Sequence, residues 1–416
     1  MPLPGSSVTF DESVNYLLSL GNEVSTMKLG LENIRKLLAA LDNPENNFLK
    51  VQVAGTNGKG STCVFLDSIC RAANIRTGLY TSPHLISITE RIKINGEEIS
   101  EEDFARHATK VREIAENEFE TLPTFFEQVT AIALSAFAEE KIELAILETG
   151  LGGRLDATTA ANAGIAAITP IDYDHQQYLG ETLEKIAAEK AAIIHKDSKV
   201  AIAPQKAAAK EVILNKCREL GIEPVFSGVE ISRNVKLKMA GRHQSLNGAL
   251  AERVAEILAE SDSRITPRIT NEAIIQGLET AVNPGRLEYL SGILLDGAHN
   301  PAGAKALAAY LDEFIHQPIT LIFGAMNDKD LPGITEHLFH RAKYLVLTAI
   351  GNSRSATPQD LLKLVPAAFP KDNIFPAKNV REALEIARKV TGTGGLICVT
   401  GSLYLVGETQ KALKEN

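Results

Sequence analysis

The sequence predicts a two-domain α/β protein, with a larger N-terminal domain on a mostly parallel sheet with helices on both faces, followed by a smaller α/β domain. Three observations carry this reading. The chain has 416 residues, too many for one hydrophobic core at roughly 100 to 200 residues per domain. Short apolar runs of strand length alternate with helical periodicity along most of it, the pattern of strands joined by crossover helices. That alternation pauses at a stretch with turn chemistry, Val282-Asn283-Pro284-Gly285-Arg286, and then restarts. The boundary is therefore placed there, giving domains 1–283 and 284–416.

In the first domain Lys50–Ala54 reads as a short buried strand, and a glycine-rich turn leads from it into an amphipathic helix over Ser61–Ala73. Further apolar strands are expected at Arg76–Tyr80, Glu143–Glu148, Gly164–Thr169 and Lys199–Ala203. Val235, Leu237 and Met239 alternate with polar residues, so Glu230–Met239 is expected to form a half-buried antiparallel edge. The second domain reads as strand Gly292–Leu295, helix Ala302–Phe314 and strand Ile319–Phe323. Tyr344–Thr348, Pro358–Leu364, Val380–Val390 and Leu396–Thr400 continue the same alternation, a Rossmann-like order.

Composition narrows the function classes. With 44% apolar and 23% charged residues, the chain has the balance of a soluble globular protein. A net charge of −9 provides no general field for a polyanion, so nucleic acid is not the expected partner. The four cysteines have no CxxC spacing, which argues against a disulfide framework or a structural zinc and for a reducing compartment. No basic segment leads into an apolar one, and no run reaches the ~18 apolar residues of a membrane span. A cytoplasmic protein acting on small molecules, without a membrane partner and monomeric, is expected.

The glycine-rich turn is the first chemical signal. Val53-Ala54-Gly55-Thr56-Asn57-Gly58-Lys59-Gly60-Ser61 ends a strand and opens a helix, so N–H groups and the helix dipole can converge on phosphate oxygens, with Lys59 supplying charge. The strict phosphate-loop pattern requires Gly at 53 and Ser or Thr at 60, where this chain has Val53 and Gly60. Taken alone, an ordinary glycine-rich βα turn is an equal reading.

Other motifs decide the matter. In order the chain carries Lys28-Leu29-Gly30-Leu31-Glu32, the phosphate loop, Thr81-Ser82-Pro83-His84-Leu85, Phe125-Phe126-Glu127, and Glu148-Thr149-Gly150-Leu151-Gly152-Gly153-Arg154-Leu155-Asp156-Ala157-Thr158. Asp174-His175, Glu189-Lys190-Ala191, His243-Gln244 with Asn247, Pro284-Gly285-Arg286, Asp296-Gly297-Ala298-His299-Asn300-Pro301 and Gly401-Ser402-Leu403-Tyr404-Leu405-Val406-Gly407-Glu408 follow. In content and order this set resembles the Mur ligase superfamily, and specifically its folylpolyglutamate synthase branch. The resemblance covers residues 28 to 408, nearly the whole chain.

The resemblance implies a P-loop-type first domain and an ATP-dependent ligase that adds L-glutamate to folates, and also to dihydropteroate. Such a ligase uses ATP and magnesium: the γ-phosphoryl group makes an acyl phosphate, which the glutamate amine displaces. By the same resemblance Thr56, Asn57, Gly58, Lys59, Gly60 and Ser61 bind the phosphates and Asn247 meets adenine. Arg286 and Asp296 come to the nucleotide from the linker and the second domain. Ser82 and Glu148 offer the oxygen donors magnesium prefers, and the resemblance adds His175 as a third ligand. Pteroate contacts fall on Lys28, Leu29, Gly30 and Leu31, on Thr124, Phe125, Phe126 and Glu127, and on Leu155, Asp156 and Ala157, with Phe126 stacking on the pterin. Lys28 stands where some bifunctional relatives carry an acidic residue, which bears on dihydropteroate use. Lys190 matches a lysine that is commonly carbamylated in relatives, and burial would be the prerequisite.

Each assignment has a plainer counterpart. The plain reading of Glu148 is an exposed strand-end carboxylate, but its place before a Gly-rich turn favours ligation. His175 alone reads as a polar loop residue and only the ordered motifs outweigh that, Lys190 reads plainly as a solvated helical lysine, and Phe125 and Phe126 equally as helix-start packing. Asp296 or His299 could cap a helix starting near Pro301. Asp328-Lys329-Asp330 and Ser353-Arg354-Ser355 are assigned loosely to glutamate binding or closure, or to a charged surface. A cell-wall Mur ligase and a nucleotide-dependent regulatory protein are the competing functions. The Ser-Pro-His and Leu-Gly-Gly-Arg-Leu-Asp segments argue against the first, and intact Lys59, Glu148, His175 and Asp296 against the second.

Overall fold

The computed structural model describes residues 8–21, 30–263 and 265–415. These fall into two compact units, Met1–Leu237 with Ser245–Ala281, and Lys238–Gln244 with Val282–Asn416. Lys28 and Leu29 of the expected pteroate segment lie outside the described residues.

The first unit holds an eight-stranded sheet. Its strands are β1 (Leu49–Ala54), β2 (Thr77–Tyr80), β3 (Ile92–Ile94), β4 (Glu97–Glu98), β5 (Leu144–Glu148), β6 (Ile165–Ile168), β7 (Lys199–Ile202) and β8 (Val225–Phe226). They lie in the order β4-β3-β2-β5-β1-β6-β7-β8, parallel from β2 to β8, with a β2–β3–β4 antiparallel edge. All five expected strands are present within a residue or so at each end, because β-branched and other apolar side chains buried on both faces leave a near-continuous signal. Because β2, β5, β1 and β6 are adjacent and parallel, the loops after Tyr80, Glu148, Ala54 and Ile168 leave from one edge of the sheet, where open α/β sheets bind ligands.

The expected antiparallel edge at Glu230–Met239 does not form. Its backbone is held by side chains instead: Glu252 accepts from the Ser232 N–H and hydroxyl, both at 2.9 Å, and Glu279 accepts the Lys236 N–H at 3.0 Å. Arg233 completes the anchor with ion pairs to Glu252 and Glu256. Tertiary tethering thus overrides a local alternation.

The helix carrying the phosphate loop, Lys59–Ala72, is pressed on by the helix Asn271–Thr280. A Cβ on Gly277 would sit 2.3 Å from the Ile69 Cα and 2.4 Å from its nitrogen. Alanine in a helix interior normally gains about 1 kcal/mol over glycine. Here the obstruction is backbone, so overpacking of about 1–3 kcal/mol wins. Gly277→Ala is expected to lower the melting temperature measurably; an unchanged or higher one would show that the two helices separate without cost.

The second unit holds six strands, β9 (Glu288–Leu290), β10 (Ile293–Asp296), β11 (Ile319–Phe323), β12 (Ala342–Thr348), β13 (Ile374–Ala377) and β14 (Leu396–Thr400). Their order is β13-β12-β11-β14-β10-β9, parallel except for the β9–β10 pair. Leu294, Leu321, Phe323, Leu345, Leu347 and Cys398 fill its core.

Candidate active site

The phosphate loop begins where β1 ends. Gly58 adopts φ 90° as the N-terminal cap of Lys59–Ala72, a conformation that disfavours side chains. A Cβ there would also lie 2.2 Å from the Asn247 amide oxygen. Asn247 is therefore packed on the phosphate loop itself, on the helix Arg242–Ser261. Not every N–H of the loop faces a ligand. Those of Thr56 and Asn57 donate to the Pro170 carbonyl at 3.1 and 3.4 Å, and the Thr56 hydroxyl donates to the Asp172 carbonyl and accepts its N–H at 2.9 and 3.0 Å. The first turn of the helix from Lys59 supplies N–H groups that have no acceptor within the helix itself, and there the dipole also favours an anion. The Lys59 ammonium reaches back to the Thr56 carbonyl at 3.3 Å.

Glu148 ends β5 and is 6% exposed. Its Oε2 accepts the Ser82 N–H at 3.1 Å and lies 3.3 Å from where a Gly60 Cβ would be. A buried carboxylate thus stands against both the phosphate loop and the Ser82 loop. This combination is suited to a hard cation: a carboxylate and a serine hydroxyl on the protein side, with phosphate oxygens and water filling the rest. Among the described residues no three His, Cys, Asp or Glu side chains form a cage of their own.

The Ser82 loop is built for rigidity. Glu90 accepts the N–H groups of Leu85, Ile86 and Ser87 at 2.7, 2.7 and 2.8 Å. Arg91 takes the other end: its carbonyl accepts the Thr81 N–H at 3.0 Å, and its Nε donates to the His84 Nδ1 at 2.8 Å. Burial and the adjacent Arg91 guanidinium push His84 down to about 3, so the ring is neutral. Glu90, Arg91 and the role of His84 escaped sequence reasoning. The Ser87-Ile88-Thr89-Glu90 capping box was readable, whereas nothing in the spacing announces Arg91.

The loop after β6 carries Asp174 and His175. The Asp174 carboxylate accepts the His175 N–H at 2.9 Å and holds its ring nitrogen at 3.8 Å, with His175 at φ 50°. Lys190, on the helix Leu183–Ala191, is 4% exposed and donates to the Gly55 carbonyl at 2.7 Å. Burial, reinforced by the Lys59 charge and only partly opposed by Asp174, Asp156 and Glu189, pushes its amine down to about 7. This lysine is therefore the opposite of a solvated helical one.

The glycine-rich turn after β5 rides on the same helix. A Cβ on Gly153 would meet the Glu189 carbonyl at 2.7 Å, and Arg154 pairs with Glu189 at 2.9 Å. Asp156 is buried and organises the turn, accepting the N–H groups of Gly150, Leu151 and Thr158 at 2.8, 3.0 and 3.0 Å and the Thr158 hydroxyl. Its carboxylate is thus largely committed to the protein. Thr124 and Glu127 form a reciprocal cap on the helix Phe125–Glu139. Phe125 is buried, with the Arg91 guanidinium 5.4 Å from its ring centre. Phe126 is half-buried, 5.9 Å from the Tyr80 ring, and its tip would meet a Cβ on Gly150 at 2.6 Å. Leu31, Tyr80, Phe125 and Ala157 belong to one apolar cluster, with Phe126 packed against it. Leu155 is half-buried beside them in sequence, and Gly30 lies at φ 152°.

In the second unit Asp296 ends β10, buried, and accepts the N–H groups of Leu287 and Ala298, both at 3.0 Å. Burial raises it despite the opposing charge of Arg286, whose guanidinium reaches the Gly297 carbonyl at 3.4 Å. The cap of Pro301–Phe314 is Asn300, accepting the Gly303 N–H at 2.8 Å, so neither Asp296 nor His299 fills that role. Asp328 pairs with Arg354 at 3.2 Å across the loops after β11 and β12, while Asp330 caps the helix Leu331–Leu338.

Comparison with known proteins agrees with these features. The Mur ligase middle domain matches residues 53–255, and the Mur ligase glutamate ligase domain matches residues 285–403. Fold, site and these matches define an ATP-dependent carboxylate–amine ligase of the Mur type. A Bacillus subtilis dihydrofolate synthase/folylpolyglutamate synthase is 32% identical over 93% of this chain and 96% of its own length. The Mycobacterium tuberculosis folylpolyglutamate synthase solved with ADP and AMPPCP superposes with a TM-score of 0.87 at 28% identity, covering 97% of this chain and 99% of that one. A Yersinia pestis folylpolyglutamate synthase/dihydrofolate synthase with AMPPNP and a manganese ion superposes at 0.86 and 29% identity, covering 99% of this chain and 100% of that one. The chain belongs to the dihydrofolate synthase/folylpolyglutamate synthase family. No helix among the described residues is long and apolar enough to cross a membrane.

Proposed function

We propose that this chain joins L-glutamate to reduced folates and to dihydropteroate, using one ATP per amide. The observation that carries the reading is the buried Glu148 carboxylate held between Gly60 of the phosphate loop and the Ser82 amide. It supports the reading because a carboxylate oxygen beside the phosphate loop is suited to hold a metal ion against a nucleotide's terminal phosphates. Ser82, Glu148 and His175 would hold magnesium, which supplies charge neutralisation at the phosphoryl oxygens when bound. Lys59 and the N–H groups of its helix turn orient the γ-phosphoryl group for attack by the folate carboxylate. ADP leaves, and the glutamate amine then displaces phosphate from the acyl phosphate. Asn247, Arg286 and Asp296 are the further nucleotide residues of this reading. The cluster of Leu31, Phe125, Phe126 and Ala157 is its pterin wall, with Asp156 and Glu127 shaping that wall from behind. A carbamylated Lys190 would add a negative charge within reach of Lys59, behind the phosphate loop. A monomer working in the cytoplasm completes the reading.

Both acceptors depend on one pterin wall, so they are expected to compete. The test is ADP release by the purified chain with ATP, magnesium and L-glutamate, supplied with dihydropteroate, tetrahydrofolate or both. Glutamate-dependent release with each is expected, and with both at saturation a rate between the two separate rates rather than their sum. Release with tetrahydrofolate alone would make the enzyme a monofunctional folylpolyglutamate synthase, and release with neither would overturn the reading.

A further inference from the structure

We infer that His84 is a substrate-contacting residue, a neutral donor whose Nε2–H binds an anionic oxygen of the reacting carboxylate, and that Arg91 is its positioning residue. This rests on the ligase reading above. The geometry fixes the tautomer. An arginine N–H can only donate, so the bond from Arg91 Nε to His84 Nδ1, at 2.8 Å, makes Nδ1 the acceptor and leaves the proton on Nε2. Arg91 is itself only 2% exposed and is held by the Thr81 N–H on its carbonyl and by the Phe125 ring 5.4 Å from its guanidinium. It cannot readily swing away.

The Nε2–H, by contrast, has no hydrogen-bond partner among the described residues, and the part-buried ring leaves it open to solvent or ligand. Its place is set by the sheet. His84 follows Ser82 by two residues, a span of at most about 7 Å, and the Ser82 amide touches Glu148. The ring thus stands on the sheet edge that carries Glu148 and the phosphate loop, while the guanidinium behind it touches the first aromatic of the pterin segment. A neutral donor suits this position. It stabilises the negative charge that returns to this oxygen when the glutamate amine attacks the acyl phosphate carbon, without holding the product as a fixed cation would.

Two replacements separate this role from a structural one. In His84→Asn the amide lies where Nδ1 was, so the bond to Arg91 can be kept and the outer donor is lost. In His84→Gln the amide reaches the Nε2 position, so the donor is kept and the Arg91 bond is lost. The expected result is a kcat about 10²-fold down for His84→Asn, with the KM for ATP unchanged, and a much smaller loss for His84→Gln. The reverse order, with wild-type chain active, overturns the inference alone. Wild-type chain inactive with every acceptor overturns the ligase reading, and this inference with it. Nitrogen NMR of histidine-labelled wild-type chain needs no variant to fold: one ring should show protonated Nε2 and move on adding a folate monoglutamate with ADP and magnesium. No ring that moves would equally reject the contact.

Discussion

Lys59→Ala is expected to reduce glutamate-dependent ADP release at saturating ATP by at least about 10³-fold, the scale of a lost cation on a transferring phosphoryl group. Its melting temperature should stay close to that of the wild type. The ammonium's described contact is a single 3.3 Å bond to the Thr56 carbonyl, and one such bond on a half-exposed side chain is worth about 1 kcal/mol or less to the fold. The charge is thus available for phosphate rather than for stability. Lys59 also contributes to the lowering of the Lys190 amine, so its loss should raise that amine toward the ordinary lysine range. Lys59→Arg keeps a cation and preserves this effect, but it replaces a point charge with a wider fork at a turn where Gly58 and Gly60 leave little room. It should recover only part of the activity. Near-wild-type turnover in Lys59→Ala would remove the loop from phosphoryl transfer altogether.

The parts of this architecture legible in the sequence were those in which one physical requirement dominates a run of residues. Buried parallel strands such as Leu144–Glu148 show as apolar runs, and the turn from β1 into Lys59–Ala72 shows as glycines beside a lysine. Edge elements were missed: β8 and β9 are two and three residues long, too short for any periodicity. The β3–β4 hairpin did carry a signal, since Asn95-Gly96 joins its two strands. In the site, residue types and their order were readable, but their division of labour was not. Thr56 and Asn57 sit in the phosphate motif, yet their N–H groups serve Pro170, more than 100 residues away. Asp156 and Glu127 are in substrate motifs, yet their carboxylates brace a turn and cap a helix. Thr124-x-x-Glu127 is spelled as a capping box, so that second role could have been seen. Arg91 could not, because its contacts come together only when β3, the Ser82 loop and the Phe125 helix are folded.

Replacing Lys190 by methionine is expected to abolish most of the activity, by about 10²-fold or more, while leaving the protein at least as stable as before. These two results together distinguish a chemical role from a packing one. Burial penalises the charged amine, and each unit by which it lies below the ordinary value of 10.5 corresponds to about 1.4 kcal/mol. The hydrogen bond to the Gly55 carbonyl returns only about 1–2 kcal/mol, so the penalty outweighs it. The sign sets the pH window. Between about 7 and 10.5 the unfolded chain holds a proton the native chain has released, so wild-type stability rises with pH across that range, and the burial penalty is fully present below it. The stabilising effect of methionine should therefore be greatest below pH ~7 and fade above. The same lowered value makes the amine neutral, hence nucleophilic toward CO₂, at physiological pH: on the proposed reading nitrogen would bond to the carbon, a proton would leave, and a carbamate anion would form within reach of the Lys59 charge. Activity is accordingly expected to fall in CO₂-stripped buffer and to return with bicarbonate, and carbon-labelled bicarbonate should give a carbamate resonance that Lys190→Met lacks. Activity indifferent to CO₂, together with a methionine variant that still turns over, would make Lys190 a packed side chain and no more.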